Sequence, residues 1–222
     1  MRNYINTFIV SIFLLASAVT SSAIACTWPT ETDLNAVTKV YSGSGAAGTG
    51  TFINDHQFLT VAHIMPTNTT QMVAQTVEGH NLIVRSLDPF FDVAIFDVYP
   101  KGSDKLGHPP GVNALKLSPT ELNHGDDLYA VGYARDNLHQ TTSKGFALVT
   151  RGANLYMSVP ILGGQSGGPV LHCVEGELQV VGIIRGYLGV TVDDEWRRFN
   201  NITSAVPTSF VNLSVDALSS DY

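Results

Sequence analysis

Ser166 sits in Gly163-Gly164-Gln165-Ser166-Gly167-Gly168-Pro169, where glycines on both sides let the backbone turn tightly and bring two amides close to a bound carbonyl. A serine hydroxyl becomes a useful nucleophile only when a base takes its proton and a third group orients that base. The chain supplies both upstream. His63 ends the apolar run Phe58-Leu59-Thr60-Val61-Ala62, and Asp92 opens the run Val93-Ala94-Ile95-Phe96. In the order His63, Asp92, Ser166 these residues fit acyl transfer, with Ser166 attacking a carbonyl carbon, His63 as general base and Asp92 as its support.

Competing readings fail on order and position. Gly164-Gln165-Ser166-Gly167-Gly168 also fits the Gly-x-Ser-x-Gly elbow of α/β-hydrolases, whose acid and histidine follow the serine. The last histidine here is His172, just past Ser166 with no acid between them, so an esterase or lipase of that fold is excluded. A flexible Gly/Ser loop is opposed by its apolar flanks, Val159-Pro160-Ile161-Leu162 and Val170-Leu171. His56, His80, His108, His124 and His139 lie in polar or turn-like segments, which sets His63 apart. Asp88 precedes Pro89 in a turn, and Asp97 lies an odd number of positions from Asp92 and so faces the other side of its strand.

Short β-rich runs must carry these groups. In the first half they are Thr51-Phe52-Ile53, Phe58 to Val61, Met72-Val73, Asn81 to Val84 and Val93 to Phe96. In the second they are Leu128 to Val131, Gly145 to Thr150, Leu155 to Val159, Val170 to Val174 and Leu178 to Ile184. Asn54-Asp55 and Glu78-Gly79 supply turns, and Gly107-His108-Pro109-Pro110-Gly111 separates two β units of similar length. Only the C-terminus shows a helical period, with Phe210, Val211, Val215 and Leu218 on one face and Pro207 in the first turn. Alternating βαβ units and internal repeats are absent. The pattern predicts an all-β fold of two closed antiparallel barrels with a terminal helix.

Of 222 residues, 44% are hydrophobic and 14% charged, which suits a packed core and excludes a disordered tail. Arg2, the apolar run Phe8 to Val19 and Ala23-Ile24-Ala25 form a signal-peptide layout with cleavage near Ala25, and the apolar run is too short for a spanning helix. The expected location is therefore secreted or periplasmic, with no membrane span. The formal charge of −7 and the scattered basic residues, of which only Arg197-Arg198 adjoin, exclude a nucleic-acid partner. Cys26 and Cys173 are an even count that can pair in an exported chain. The alternative is acylation of Cys26, as in a lipid-anchored envelope protein, although Ala23 stands where a Leu is expected. Neither cysteine has ligand-spaced partners, so no metal site is expected.

Four segments together carry a resemblance: Gly48-Thr49-Gly50-Thr51-Phe52-Ile53, Leu59-Thr60-Val61-Ala62-His63, Asp92-Val93-Ala94-Ile95 and Gly164-Gln165-Ser166-Gly167-Gly168-Pro169. In kind and order they resemble the signature segments of trypsin-like serine peptidases of the chymotrypsin fold. The likeness continues through Leu115-Lys116-Leu117, Val180-Val181-Gly182-Ile183 and Ala205-Val206-Pro207. It is greatest to the bacterial branch, the peptidase domains of HtrA-type enzymes and glutamyl-endopeptidase relatives, with no room for the PDZ domain of the former.

The resemblance implies two six-stranded barrels, residues 26–117 carrying His63 and Asp92, and 118–222 carrying Ser166 and the helix. It implies a secreted serine endopeptidase that works through an acyl-enzyme, with the amides of Gly164 and Ser166 as the oxyanion hole. It implies no cofactor, a protein or peptide substrate and a monomer. Pro160, Ile161, Ile184, Arg185, Gly186 and Tyr187 fall where the family builds its primary substrate pocket. Pro160 and Ile161 favour an apolar residue there, and Arg185 an acidic one. Gln165 replaces the Asp that captures a newly cut N-terminus in animal digestive enzymes, so that activation switch is not expected. A catalytically silent relative that binds peptide is the rival function.

Overall fold

The computed structural model describes residues 26, 28–65 and 73–211. The expected leader, residues 1–25, lies outside them, as do Met72, Val215 and Leu218. The first barrel comprises β1 (Val37–Ser42), β2 (Ala47–Asn54), β3 (Gln57–Thr60), β4 (Val73–Thr76), β5 (Asn81–Asp88) and β6 (Val93–Tyr99). The second comprises β7 (Asp127–Tyr133), β8 (Gln140–Arg151), β9 (Asn154–Ser158), β10 (Pro169–Val174), β11 (Glu177–Val192) and β12 (Glu195–Pro207). Both close antiparallel in the same order, β1-β2-β3-β6-β5-β4 and β7-β8-β9-β12-β11-β10. The chymotrypsin-like, all-β architecture expected from the sequence is the one formed.

β3 is buried on both faces, and so is most of β6, which is why their sequences run apolar rather than alternating. Ile183 of β11 and Val206 of β12 join the cluster of Phe52, Phe58, Leu59, Ile95 and Phe96. Closing a sheet removes its open edges, and this cluster joins the two closed units. Two strands escaped the sequence reading, β1 and β12. β12 pairs with β11 as far as Val192↔Glu195, across a turn in which Asp193 and Asp194 have φ of 52° and 62°. Those values suit a two-residue hairpin turn, and aspartate adopts them without the usual glycine. Pro207 closes β12, and residues 208–211 are helical.

Cys26 and Cys173 form a disulfide with Cα atoms 5.5 Å apart, which ties the N-terminal segment to β10 and leaves Cys26 no free thiol to acylate. No helix among the described residues is long and apolar enough to cross a membrane.

Candidate active site

Past β3 the chain enters one 3₁₀ turn, Ala62–Ile64. Ala62 and Ile64 turn inward and are buried, whereas the His63 side chain is 47% exposed, so the turn presents one ring between two anchors. Asp92 follows a turn built by Asp88, whose carboxylate accepts from the amides of Phe90 and Phe91 at 2.9 Å each. Asp92 itself has φ of 63°, a left-handed conformation that aspartate tolerates better than most residues. That kink directs its carboxylate inward, to 7% exposure. Asp97 instead pairs with Arg85 at 3.3 Å on the solvent side of the strand.

Asp92 Oδ1 accepts from the His63 backbone amide at 2.9 Å, and Oδ2 lies 2.9 Å from His63 Nδ1. A carboxylate only accepts, so Nδ1 carries the proton and Nε2 is left as the basic nitrogen. Arg185 adds a cation, its Nε donating to Asp92 Oδ2 at 3.2 Å while Nη1 donates to Asn154 at 2.9 Å. Burial pushes the Asp92 pKa up, but the His63 hydrogen bonds and charge, with the Arg185 charge, outweigh it and hold the carboxyl below its ordinary value. A depressed folded pKa gives stability that is present above about pH 4 and lost as pH falls through the lowered value. Arg185→Met removes one depressing cause. We expect the Asp92 carboxyl, followed by NMR, to titrate at higher pH and acid unfolding to begin earlier; an unchanged Asp92 titration would show that the guanidinium has no hold on it.

Ser166 is set by close backbone approaches. Its carbonyl accepts from Thr49 N at 2.8 Å, and Gly167 N donates to Ile184 O at 2.7 Å. Gly167 has φ of 87°, and a Cβ there would lie 2.1 Å from Thr60 Oγ1, so only glycine fits the turn after the serine. The Ser166 hydroxyl donates to Arg185 O at 3.3 Å. Arg185 thus touches Asp92 with its side chain and Ser166 with its main chain. His63 and Asp92 are joined directly, while no hydrogen bond links Ser166 Oγ to the His63 ring among the described residues. Such bonds commonly tighten only when substrate is bound.

The peptide before the nucleophile is fixed from both sides. Gly163 O accepts from Arg135 N at 2.6 Å, so in a trans peptide the Gly164 N–H points the opposite way from that carbonyl. Gly164 O accepts from Thr49 Oγ1 at 3.0 Å, and Thr49 Oγ1 accepts from Tyr133 N at 2.9 Å. Gln165, 1% exposed, accepts from Leu162 N at 2.6 Å and donates to Thr141 Oγ1 at 2.7 Å. Thr49, Thr141 and Gln165 are therefore parts of the site whose roles the sequence did not disclose, although Thr49 and Gln165 stand inside the matched segments.

The remaining pocket positions divide. Ile161 is 7% exposed, Ile184 is fully buried inside the second barrel, and Pro160 lies at the surface. Tyr187 is half-buried against the same cluster, with the Arg198 guanidinium 4.3 Å from its ring centre. The Arg185 charge is directed at Asp92 and Asn154, not at a ligand space.

Residues 48–183 match the family described as the trypsin-like peptidase domain. Among solved structures, the crystal structure of the serine endoprotease from Yersinia pestis is similar, with a TM-score of 0.61 and 20% sequence identity over 88% of this chain and 69% of that one. At that identity the likeness is one of fold. No curated protein matches the sequence.

Proposed function

We propose, from the premise that this chain belongs to the trypsin-like peptidase family and is a serine protease, that His63, Asp92 and Ser166 form its triad and that it is an exported endopeptidase. Rotation of the Ser166 hydroxyl from Arg185 O toward His63 Nε2 starts the reaction. His63 takes the proton as Oγ attacks the scissile carbonyl, then returns it to the leaving amine as the acyl-enzyme forms; water repeats the cycle in reverse. Asp92 keeps Nδ1 protonated and stabilises the imidazolium. The Gly164 and Ser166 amides receive the oxyanion.

The observation that carries this reading is the Asp92 carboxylate, held by the amide and Nδ1 of His63 at 2.9 Å each, which leaves Nε2 as a base. The Cys26–Cys173 disulfide and the apolar leader support export, with cleavage near Ala25. Residues 26–117 would then carry the base and acid, and 118–222 the nucleophile, in a monomer acting on protein or peptide. With Arg185 directed at Asp92 and Ile161 buried in the wall, the primary pocket suits a small or medium apolar side chain over glutamate.

The test is intact-mass analysis after treatment with a fluorophosphonate, in which Ser166 Oγ displaces fluoride from phosphorus. One adduct on the wild type, absent from Ser166→Ala, is expected. A folded wild type that takes up no adduct would turn the reading toward a silent peptide-binding relative.

A further inference from the structure

Lys39 lies in the middle of β1 and is 3% exposed, and no carboxylate pairs with it among the described residues. Its ammonium donates instead to main-chain carbonyls, those of Arg135 at 2.6 Å, Asn137 at 3.2 Å and Ala134 at 3.3 Å. Burying a cation is costly unless its protons find acceptors, and here the three N–H groups meet three carbonyls. β1 belongs to the first barrel, whereas residues 134–137 follow β7 of the second. The lysine is a strut between the two.

The segment it grips is the one that fixes the peptide before Ser166. Arg135 is held at both ends, with its carbonyl on Lys39 Nζ and its amide on Gly163 O at 2.6 Å. Its backbone also lies against Gly164 so closely that a Cβ on Gly164 would stand 2.4 Å from Arg135 N. Residues 135–139 are otherwise exposed, and Ala134 to Asn137 border a groove of about 500 Å³ with Leu162 and Gly163. An exposed turn of this kind has few contacts of its own to hold its place. Its position, and with it the direction of the Gly164 N–H, depends on the lysine reaching across.

We infer that Lys39 is a positioning residue for stabilisation of the substrate's developing oxyanion, acting through Arg135 and Gly163 on the Gly164 amide. This rests on the oxyanion assignment above. It gives the site a built-in ammonium that sets the oxyanion peptide, with Gln165 rather than an acid inside the turn.

The test compares wild type with Lys39→Met, which keeps chain length but loses charge and donors, and with Lys39→Arg. Active sites are counted by fluorophosphonate titration; kcat per titrated site, KM and inhibition by a peptide boronate are then measured. For Lys39→Met we expect kcat per site to fall by roughly tenfold to a hundredfold, KM to stay within about threefold, and boronate affinity to weaken in parallel, with partial recovery in Lys39→Arg. A lysine that merely supports folding would lower the number of titrated sites and leave kcat per site and boronate affinity within about twofold, overturning the inference. If Lys39→Met yields no folded protein, Lys39→Gln, which keeps two donors, carries the same comparison; failure of both to fold makes the role structural and also overturns it. A wild type that cannot be titrated overturns the functional reading, and this inference with it.

Discussion

Asp92→Asn is expected to lower kcat about 10⁴-fold while the protein stays folded and KM changes little. Asparagine matches the shape of aspartate and tolerates the φ of 63° at this position, so the turn survives. What it lacks is a second acceptor. Oδ1 receives the His63 amide at 2.9 Å, and Oδ2 receives His63 Nδ1 at 2.9 Å and Arg185 Nε at 3.2 Å. With its oxygen in the Oδ1 place, the new NH₂ faces the Arg185 donor and can coexist only with a deprotonated Nδ1, which puts the proton on Nε2 and removes the base. With the oxygen in the Oδ2 place, the tautomer is kept, but NH₂ confronts the His63 amide and the negative charge that steadies the imidazolium is gone. Both arrangements lose rate, through different steps. Steady-state kinetics on a peptide amide, with circular dichroism as the check on folding, decides the matter. A folded variant keeping more than about a tenth of the wild-type kcat would remove Asp92 from the proposed triad.

Much of this arrangement was legible because the segments that carry the chemistry also satisfy strict local rules. Asp92 stands out by opening a buried run, and the glycines around Ser166 mark places where another backbone comes close. The fold class followed from short β runs and the absence of helical periods. What escaped notice did so for identifiable reasons. β1 reads Val-Thr-Lys-Val-Tyr-Ser, and a lysine at its centre conceals a strand buried at nearly every position. The partners that make the lysine tolerable are carbonyls 95 to 98 residues away, for which sequence carries no signal. Arg185 was placed on the pocket wall, yet the ladder between β11 and β12 shifts register between Ile184 and Gly186. An irregularity of that kind re-aims the side chain it carries. Arg185 is therefore free to point at Asp92, a contact from a strand of the second barrel to the turn before β6 of the first that regular alternation does not foretell. Gln165 was visible as a departure from the family's acid; its two hydrogen bonds, which lock the turn from within, were not.

Gly164→Ala is expected to lower kcat about 10²- to 10³-fold, the loss of one oxyanion donor, with the triad residues unchanged. The methyl group would stand 2.4 Å from Arg135 N, 2.8 Å from Arg135 Cα and 2.9 Å from Ala134 C, all main-chain atoms with no flexible side chain to give way. The residue also has φ of 101°, which alanine strongly disfavours. Either the 134–135 backbone retreats, breaking its 2.6 Å hold on Gly163 O, or the Gly163–Gly164 peptide rotates and carries the Gly164 N–H with it. Both routes end in the same loss. Ground-state binding of a neutral carbonyl draws little on that amide, so the change should appear in kcat with KM nearly constant. Gly107→Ala is the control, because nothing lies within 4 Å of a Cβ at that position. If Gly164→Ala is folded and its kcat lies within about threefold of the control's, the amide is not a donor to the oxyanion, and the hold that Arg135 and Lys39 keep on this peptide would lose its catalytic meaning.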